Sequence, residues 1–252
     1  MHLREALQIH PREMVSLVGA GGKTTTLYRV AKEMRVDGAK VLITTTTKIF
    51  QPTKPHVDRL FLVEAPDALL QASATIKAPA IIGAGYRVDD DGKLVGLPCA
   101  WIDSLQGSGQ FDCLLVEADG AASRLFKVPS EMEPVIPANC RLVVWIMAIK
   151  ALGKPLNPSF VHRAERAAAL LEVPPDTPLT TAHIAQLLRH PSGCLSGIPA
   201  HCRKVALLNQ ADSPEEIDRA RELAPTLFQA GFERAIIASY LTGDPVKEIV
   251  TP

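Results

Sequence analysis

An apolar run, Val15-Ser16-Leu17-Val18, stops at Gly19, and Ala20-Gly21-Gly22-Lys23-Thr24-Thr25-Thr26 follows before a segment with helical periodicity. Three glycines within four positions, set between a strand-like and a helix-like run, leave few folds open. In the order strand, glycine loop, helix, the loop's backbone N–H groups and the helix N-terminus converge on one anion. Glycine is required where so tight a loop visits φ > 0 and brings backbone against phosphate oxygens. Lys23 is expected to reach the terminal phosphates of a nucleotide, and the Thr24 hydroxyl to sit on Mg²⁺. Gly19, Ala20, Gly21, Gly22 and Thr25 would complete the cradle.

The longer phosphate-loop consensus has a glycine where Leu17 stands. What is present is the shorter Gly-x-x-Gly-Lys-Thr-Thr, a form found in Mur-type ligases. A Gly-rich turn with a solvated lysine is the plain alternative. With Lys23 in a phosphate-facing role, Lys23→Ala is expected to lower triphosphate affinity while leaving the melting temperature nearly unchanged.

Apolar strands alternate with helical segments along most of the chain. Met14–Gly19, Lys40–Thr46, Arg59–Val63, Ala80–Gly83, Asp112–Ala118, Arg141–Ile146, Val205–Leu208 and Ala235–Ala238 read as strands. Thr24–Arg35, Asp67–Ile76 and Pro214–Gln229 read as helices between them. Tyr86–Leu97, with a central Asp-Asp-Asp-Gly, reads as a β-hairpin. Phe160–Leu171 and Thr181–Arg189 fall in a proline- and glycine-rich stretch that reads as a helical insertion or lid near residues 157–200. The fold class is therefore α/β: one phosphate-loop-type domain over residues 1–252, with a mostly parallel sheet, helices on both faces, a hairpin and the insertion.

Ligands of open α/β sheets sit outside the carboxyl ends of the strands. Val116-Glu117-Ala118-Asp119-Gly120 ends a strand with acids, so Glu117 and Asp119 should overhang the same edge as the glycine loop. One carboxylate could hold Mg²⁺ beside Thr24 and the other position a water or hydroxyl. Mg²⁺ should then strengthen nucleotide binding. Leu208-Asn209-Gln210-Ala211-Asp212 resembles the Asn-Lys-x-Asp with which many GTPases read guanine, with Gln210 in place of the lysine. Asn209 and Asp212 are thus candidates for the base, with GTP preferred over ATP, while Asp212 or Ser213 is equally suited to cap the helix at Pro214. Thr44-Thr45-Thr46-Thr47-Lys48 ends the second strand, where Thr46 and Lys48 could meet the γ-phosphate or a substrate; plain β-propensity also explains the threonines.

Composition narrows the partners. The 252 residues carry 27 basic and 27 acidic side chains, with no Lys/Arg-rich stretch to suit nucleic acid. No apolar run approaches the ~20 residues of a membrane span, and residues 1–13 lack a signal-peptide core, so a cytoplasmic protein is expected. Five irregularly spaced cysteines suit free thiols. His190, Cys194, His201 and Cys202 lie close in sequence, but their spacing is not a familiar zinc pattern.

With these segments in place, the chain resembles the YqeC-like family of accessory proteins of selenium-dependent molybdenum hydroxylases. Val18–Thr25, Thr44–Lys48, Val116–Ala121, Ala151–Leu156 with Val161-His162-Arg163, and Leu208–Asp212 carry the resemblance. It implies a role for a nucleotide, GTP or ATP with Mg²⁺, in maturing such a hydroxylase or its cofactor, with a protein partner. It supplies no reaction; NTP hydrolysis, phosphoryl transfer by a small-molecule kinase or ATP-dependent ligase, and a non-hydrolysing nucleotide-gated chaperone stay open. The fold would resemble the class that includes metallochaperone GTPases and dethiobiotin synthetase. Within it, Arg163 could stabilise transition-state charge and His162 bind an anionic substrate, or both could pair along a helix surface. Ser123, Arg124 and Lys127 could line the same cleft.

Overall fold

The computed structural model describes residues 1–241 and 243–252. Nine strands form the main sheet: β1 (Met14–Gly19), β2 (Lys40–Thr45), β3 (Arg59–Leu62), β4 (Ala80–Gly85), β5 (Cys113–Glu117), β6 (Leu142–Ala148), β7 (Arg203–Asn209), β8 (Arg234–Ala238) and β9 (Val246–Val250). Their order across the sheet is β9-β8-β7-β6-β1-β5-β2-β4-β3. Every pairing is parallel except that of β8 with the edge strand β9.

The strands lack polar alternation because both faces are covered. β1, β2, β4, β5 and β6 are buried at every position. Met14, Val18, Leu114, Val116, Val143 and Trp145 enter one core; Val15, Leu17, Leu115, Val144 and Ile146 enter the other. The second core is closed by α1 (Leu3–Ala6) and α2 (Lys23–Val36), whose Leu27, Val30, Ala31 and Met34 form one apolar stripe. Each such leucine or valine contributes about 1.5–3 kcal/mol by leaving water. The first core is closed by α3 (Pro66–Ser73), α4 (Cys99–Gly107), α5 (Ala164–Leu171), α6 (Thr181–Arg189) and α7 (Pro214–Gln229).

Residues 157–200 lie in the crossover from β6 to β7. Val161, Ala164, Ala167, Leu171, Ile184, Leu187 and Leu188 join the same core as Trp145, so α5 and α6 form part of the layer over the sheet. The expected helix from Phe160 begins instead at Ala164, because Val161–His162 pairs in parallel with Phe126–Lys127. The hairpin of Arg87–Val88 and Lys93–Val95 is widened by Lys48–Phe50 into a three-stranded ribbon. Helix α4 and strand β9 were not anticipated from the sequence. Among the described residues, no helix is long and apolar enough to cross a membrane.

Candidate functional site

β1 lies between β5 and β6, with β7 next to β6, so the carboxyl ends of four adjacent strands meet at the glycine loop. Gly19, Gly21 and Gly22 have φ of 94°, 83° and 134°. Space excludes side chains there as firmly as conformation does. A Cβ would fall 2.2 Å from the Ile146 carbonyl at Gly19, 2.5 Å from the Ala148 nitrogen at Gly21 and 2.3 Å from Asn209 Nδ2 at Gly22. The loop is thus pressed onto the ends of β6 and β7, and the Ala20 N–H donates to the Ile146 carbonyl at 2.8 Å. No described backbone carbonyl accepts from the N–H groups of Gly21 through Thr25, which open α2.

Beside the loop runs a chain of alternating charge. The Thr24 hydroxyl donates to Glu117 Oε2 at 2.7 Å. Lys23 Nζ donates to the Gly19 carbonyl at 2.6 Å and lies 3.0 Å from Asp119 and 3.9 Å from Glu117. Asp119 also accepts from the Gly19 N–H at 3.0 Å and sits 3.0 Å from Lys127 Nζ. Lys127 then meets Glu133 at 2.8 Å and the Gly120 carbonyl at 2.6 Å, and Arg163 closes the row on Glu133 at 2.7 Å. Glu117–Lys23–Asp119–Lys127–Glu133–Arg163 is formally neutral.

Burial sets the energetics of this row. Lys23 is 4% exposed, which changes the expectation of an unchanged melting temperature: truncating it removes a buried cation from between two buried carboxylates. Burial pushes the Glu117 carboxyl above the usual range, against the pull of Lys23 and the Thr24 hydroxyl. Glu133 behaves oppositely: burial pushes it up, but hydrogen bonds from Arg163 and Lys127 outweigh this and bring it to about 2. His162 is held below the ordinary imidazole value by burial and then by Arg163 and Lys127.

At the other end of the loop, Asn209 Nδ2 donates to the Gly21 carbonyl at 2.7 Å. Asp212 accepts from Ser239 Oγ at 2.6 Å and from Lys150 Nζ at 2.5 Å. Capping of α7 falls to Ser213, whose hydroxyl accepts from the Glu216 N–H at 3.3 Å while Glu216 accepts from the Ser213 N–H at 3.0 Å. The Asp212 carboxylate takes no part in it.

The sequence model of the family described as YqeC protein matches residues 15–165. The uncharacterized protein YqeC of Escherichia coli (strain K12) is 33% identical over 220 residues, spanning 87% of this chain and 84% of that relative. The chain belongs to the YqeC family. The matched YqeC region contains the glycine loop and the whole charged row, and it ends within the first turn of α5.

Other residues singled out from this YqeC-family sequence fall in different places. Thr46 Oγ1 donates to the Val135 carbonyl at 2.7 Å, and Lys48 pairs with Asp89 in the ribbon at 2.8 Å. Arg124 is tied to the carbonyls of Pro158 and Ala122. Arg163 ends the charged row on Glu133, and His162 pairs along the strand with Lys127. Cys194 is buried beside the Lys127 carbonyl, whereas His201 and Cys202 meet the Cys140 carbonyl at the far edge of the sheet. Among the described residues no group of three or more His, Cys, Asp or Glu is placed to hold a metal ion.

Glu133, Lys150 and Ser239 carry no sequence signal of their own; only the topology brings them to these sites. Chemically, the loop offers N–H donors and the Lys23 ammonium to an anion. Thr24 and Glu117 are a hydroxyl and carboxylate pair of the hard-oxygen kind that suits Mg²⁺. Asp119, between two ammonium groups and an amide, is placed to position them.

Proposed function

We propose that this chain binds a nucleoside triphosphate with Mg²⁺ at the carboxyl edge of β1 and β5, and uses the bound state to assist maturation of a selenium-dependent molybdenum hydroxylase or its cofactor. The observation that supports binding most is the loop: the N–H groups from Gly21 to Thr25, which no described backbone carbonyl engages, stand beside Lys23, with the Thr24–Glu117 pair at the same edge. Thr24 and Glu117 would hold Mg²⁺, which when bound supplies charge neutralisation at the phosphates. Lys23 would donate to a terminal phosphate. Asp119, released by Lys23, keeps Lys127 and the Gly19 N–H as partners, so the exchange leaves no bare carboxylate. The hydroxylase role follows from the family resemblance.

Titration calorimetry with GTP and ATP, with and without Mg²⁺, tests the binding. The wild type should bind a triphosphate more tightly with Mg²⁺, and Glu117→Gln should lose most of that gain. A wild type that binds neither nucleotide ends the reading. Turnover measured alone and with the hydroxylase tests coupling, and turnover stimulated only by a small acceptor would identify a phosphotransferase instead.

A further inference from the structure

The carboxylate of Asp212 is built for something other than helix capping. Ser213 and Glu216 form the capping box, and among the described residues the Asp212 carboxylate instead accepts from Ser239 Oγ at 2.6 Å and from Lys150 Nζ at 2.5 Å, with the positive charge of Lys247 also acting on it. Ser239 follows β8 and Lys150 lies in the single turn after β6, so the ends of the strands on either side of β7 converge on it. Lys150 is 40% exposed at its side chain while Asp212 is 15% exposed: the ammonium is the replaceable partner and the hydroxyl the fixed one. Next to them Asn209 is 3% exposed, anchored to the glycine loop through Nδ2, with its buried Oδ1 lacking a hydrogen-bond partner. Leu241, which donates its N–H to Ser239 Oγ, is among the few large apolar side chains left in solvent.

We infer that the base end of the nucleotide site takes guanine, and that Lys150 enforces the choice by occupying Asp212 until a pair of N–H donors displaces it. The inference rests on the nucleotide reading above. Guanine carries a ring N–H and an amino group side by side, the pair a carboxylate accepts; adenine has no such pair and leaves Lys150 in place. The lysine missing from Asn209-Gln210-Ala211-Asp212 thus has a counterpart in Lys150, from the turn after β6. Ser239 holds Oδ1 and so aims the carboxylate.

Competition binding with GTP, ATP and XTP, all with Mg²⁺, tests this on the full chain. The wild type should favour GTP over ATP by about tenfold or more. Asp212→Asn should lose that preference and gain XTP, because the amide's N–H matches xanthine's second oxygen where guanine has its amino group. Lys150→Met, which keeps the stem and removes the competing charge, should tighten GTP several-fold and leave ATP unchanged. Equal GTP and ATP affinities in the wild type would overturn the inference while leaving the loop's role intact, as would Lys150→Met with unaltered GTP binding. Failure of every nucleotide to bind the wild type would remove the nucleotide reading itself.

Discussion

Lys127 shows how much of this site lies below the surface. It is 2% exposed, yet its ammonium meets Asp119, Glu133 and the Gly120 carbonyl, so its charge is fully matched. Removing one member of a buried pair leaves the others uncompensated, and Lys127→Met should destabilise the fold by about 3–5 kcal/mol, read as a lower urea midpoint at unchanged slope. Glu133 supplies a pH signature. Its carboxyl is held at about 2 against an ordinary 4.5, so the folded state binds its proton less readily than the unfolded chain. The stability it contributes is complete above the unfolded value and is lost as pH falls from about 4.5 towards 2. Glu133→Gln should therefore lose about 2 kcal/mol at neutral pH, after allowance for solvent screening, and flatten the acid limb of the stability curve. Glu117 has the opposite sign: its raised carboxyl favours the protonated form, and its contribution declines as pH rises. An unchanged acid limb in Glu133→Gln would mean that its two cations do not hold the carboxylate.

At the scale of the element, α7 and the glycine loop make separable claims. Ser213→Ala removes the cap of α7 and should cost about 1 kcal/mol by thermal melting, with nucleotide preference intact because Asp212 is not the cap. Gly22→Ala meets Asn209 Nδ2 at 2.3 Å from a φ of 134°, so it should displace the loop and abolish triphosphate binding. The strands were legible in the sequence where burial on both faces writes an unbroken apolar run: Met14–Gly19 matches the reading to the residue. α4 was not, since only Ile102 and Leu105 are buried and no side chain caps its start. β9 escaped because Lys247 and Glu248 interrupt an edge strand that needs little apolar surface. Phe160–Val161 read as helix because periodicity cannot show that Val161 will pair with Phe126. In the site, loop, Thr24 and Glu117 announced themselves by order and spacing. Lys127 was readable only as a neighbour of the acidic strand end, and Glu133, Lys150 and Ser239 became visible only when distant segments met.

For the whole molecule, the consequence of that meeting is that the site exists only in the folded chain. The charged row draws on α2, the ends of β1 and β5, the Phe126–Lys127 strand, the turn at Glu133 and the residue preceding α5. A ligand binding only this state should raise the melting temperature with the logarithm of its concentration, adding about 2.7 kcal/mol at a hundredfold excess over Kd. GTP with Mg²⁺ should give that shift in a thermal scan, and Lys23→Ala should give none beyond its own lower starting point.

Trp145 offers a different view of the same event. It is 2% exposed and, with Gly19, Asp119, Lys127 and Cys194, lines a small cavity directly beneath the loop. The chain's other tryptophan, Trp101, lies on α4 beside Tyr86 and is not part of that cavity's lining. The Phe126 and Phe232 rings stand against the Trp145 indole, with centroids at 6.5 and 5.8 Å; an indole so enclosed emits at short wavelength, and a lysine moving off Asp119 alters the field across it. In a Trp101→Phe background, the protein's own emission becomes a single-site optical gauge of whether Lys23 has moved from carboxylate to phosphate.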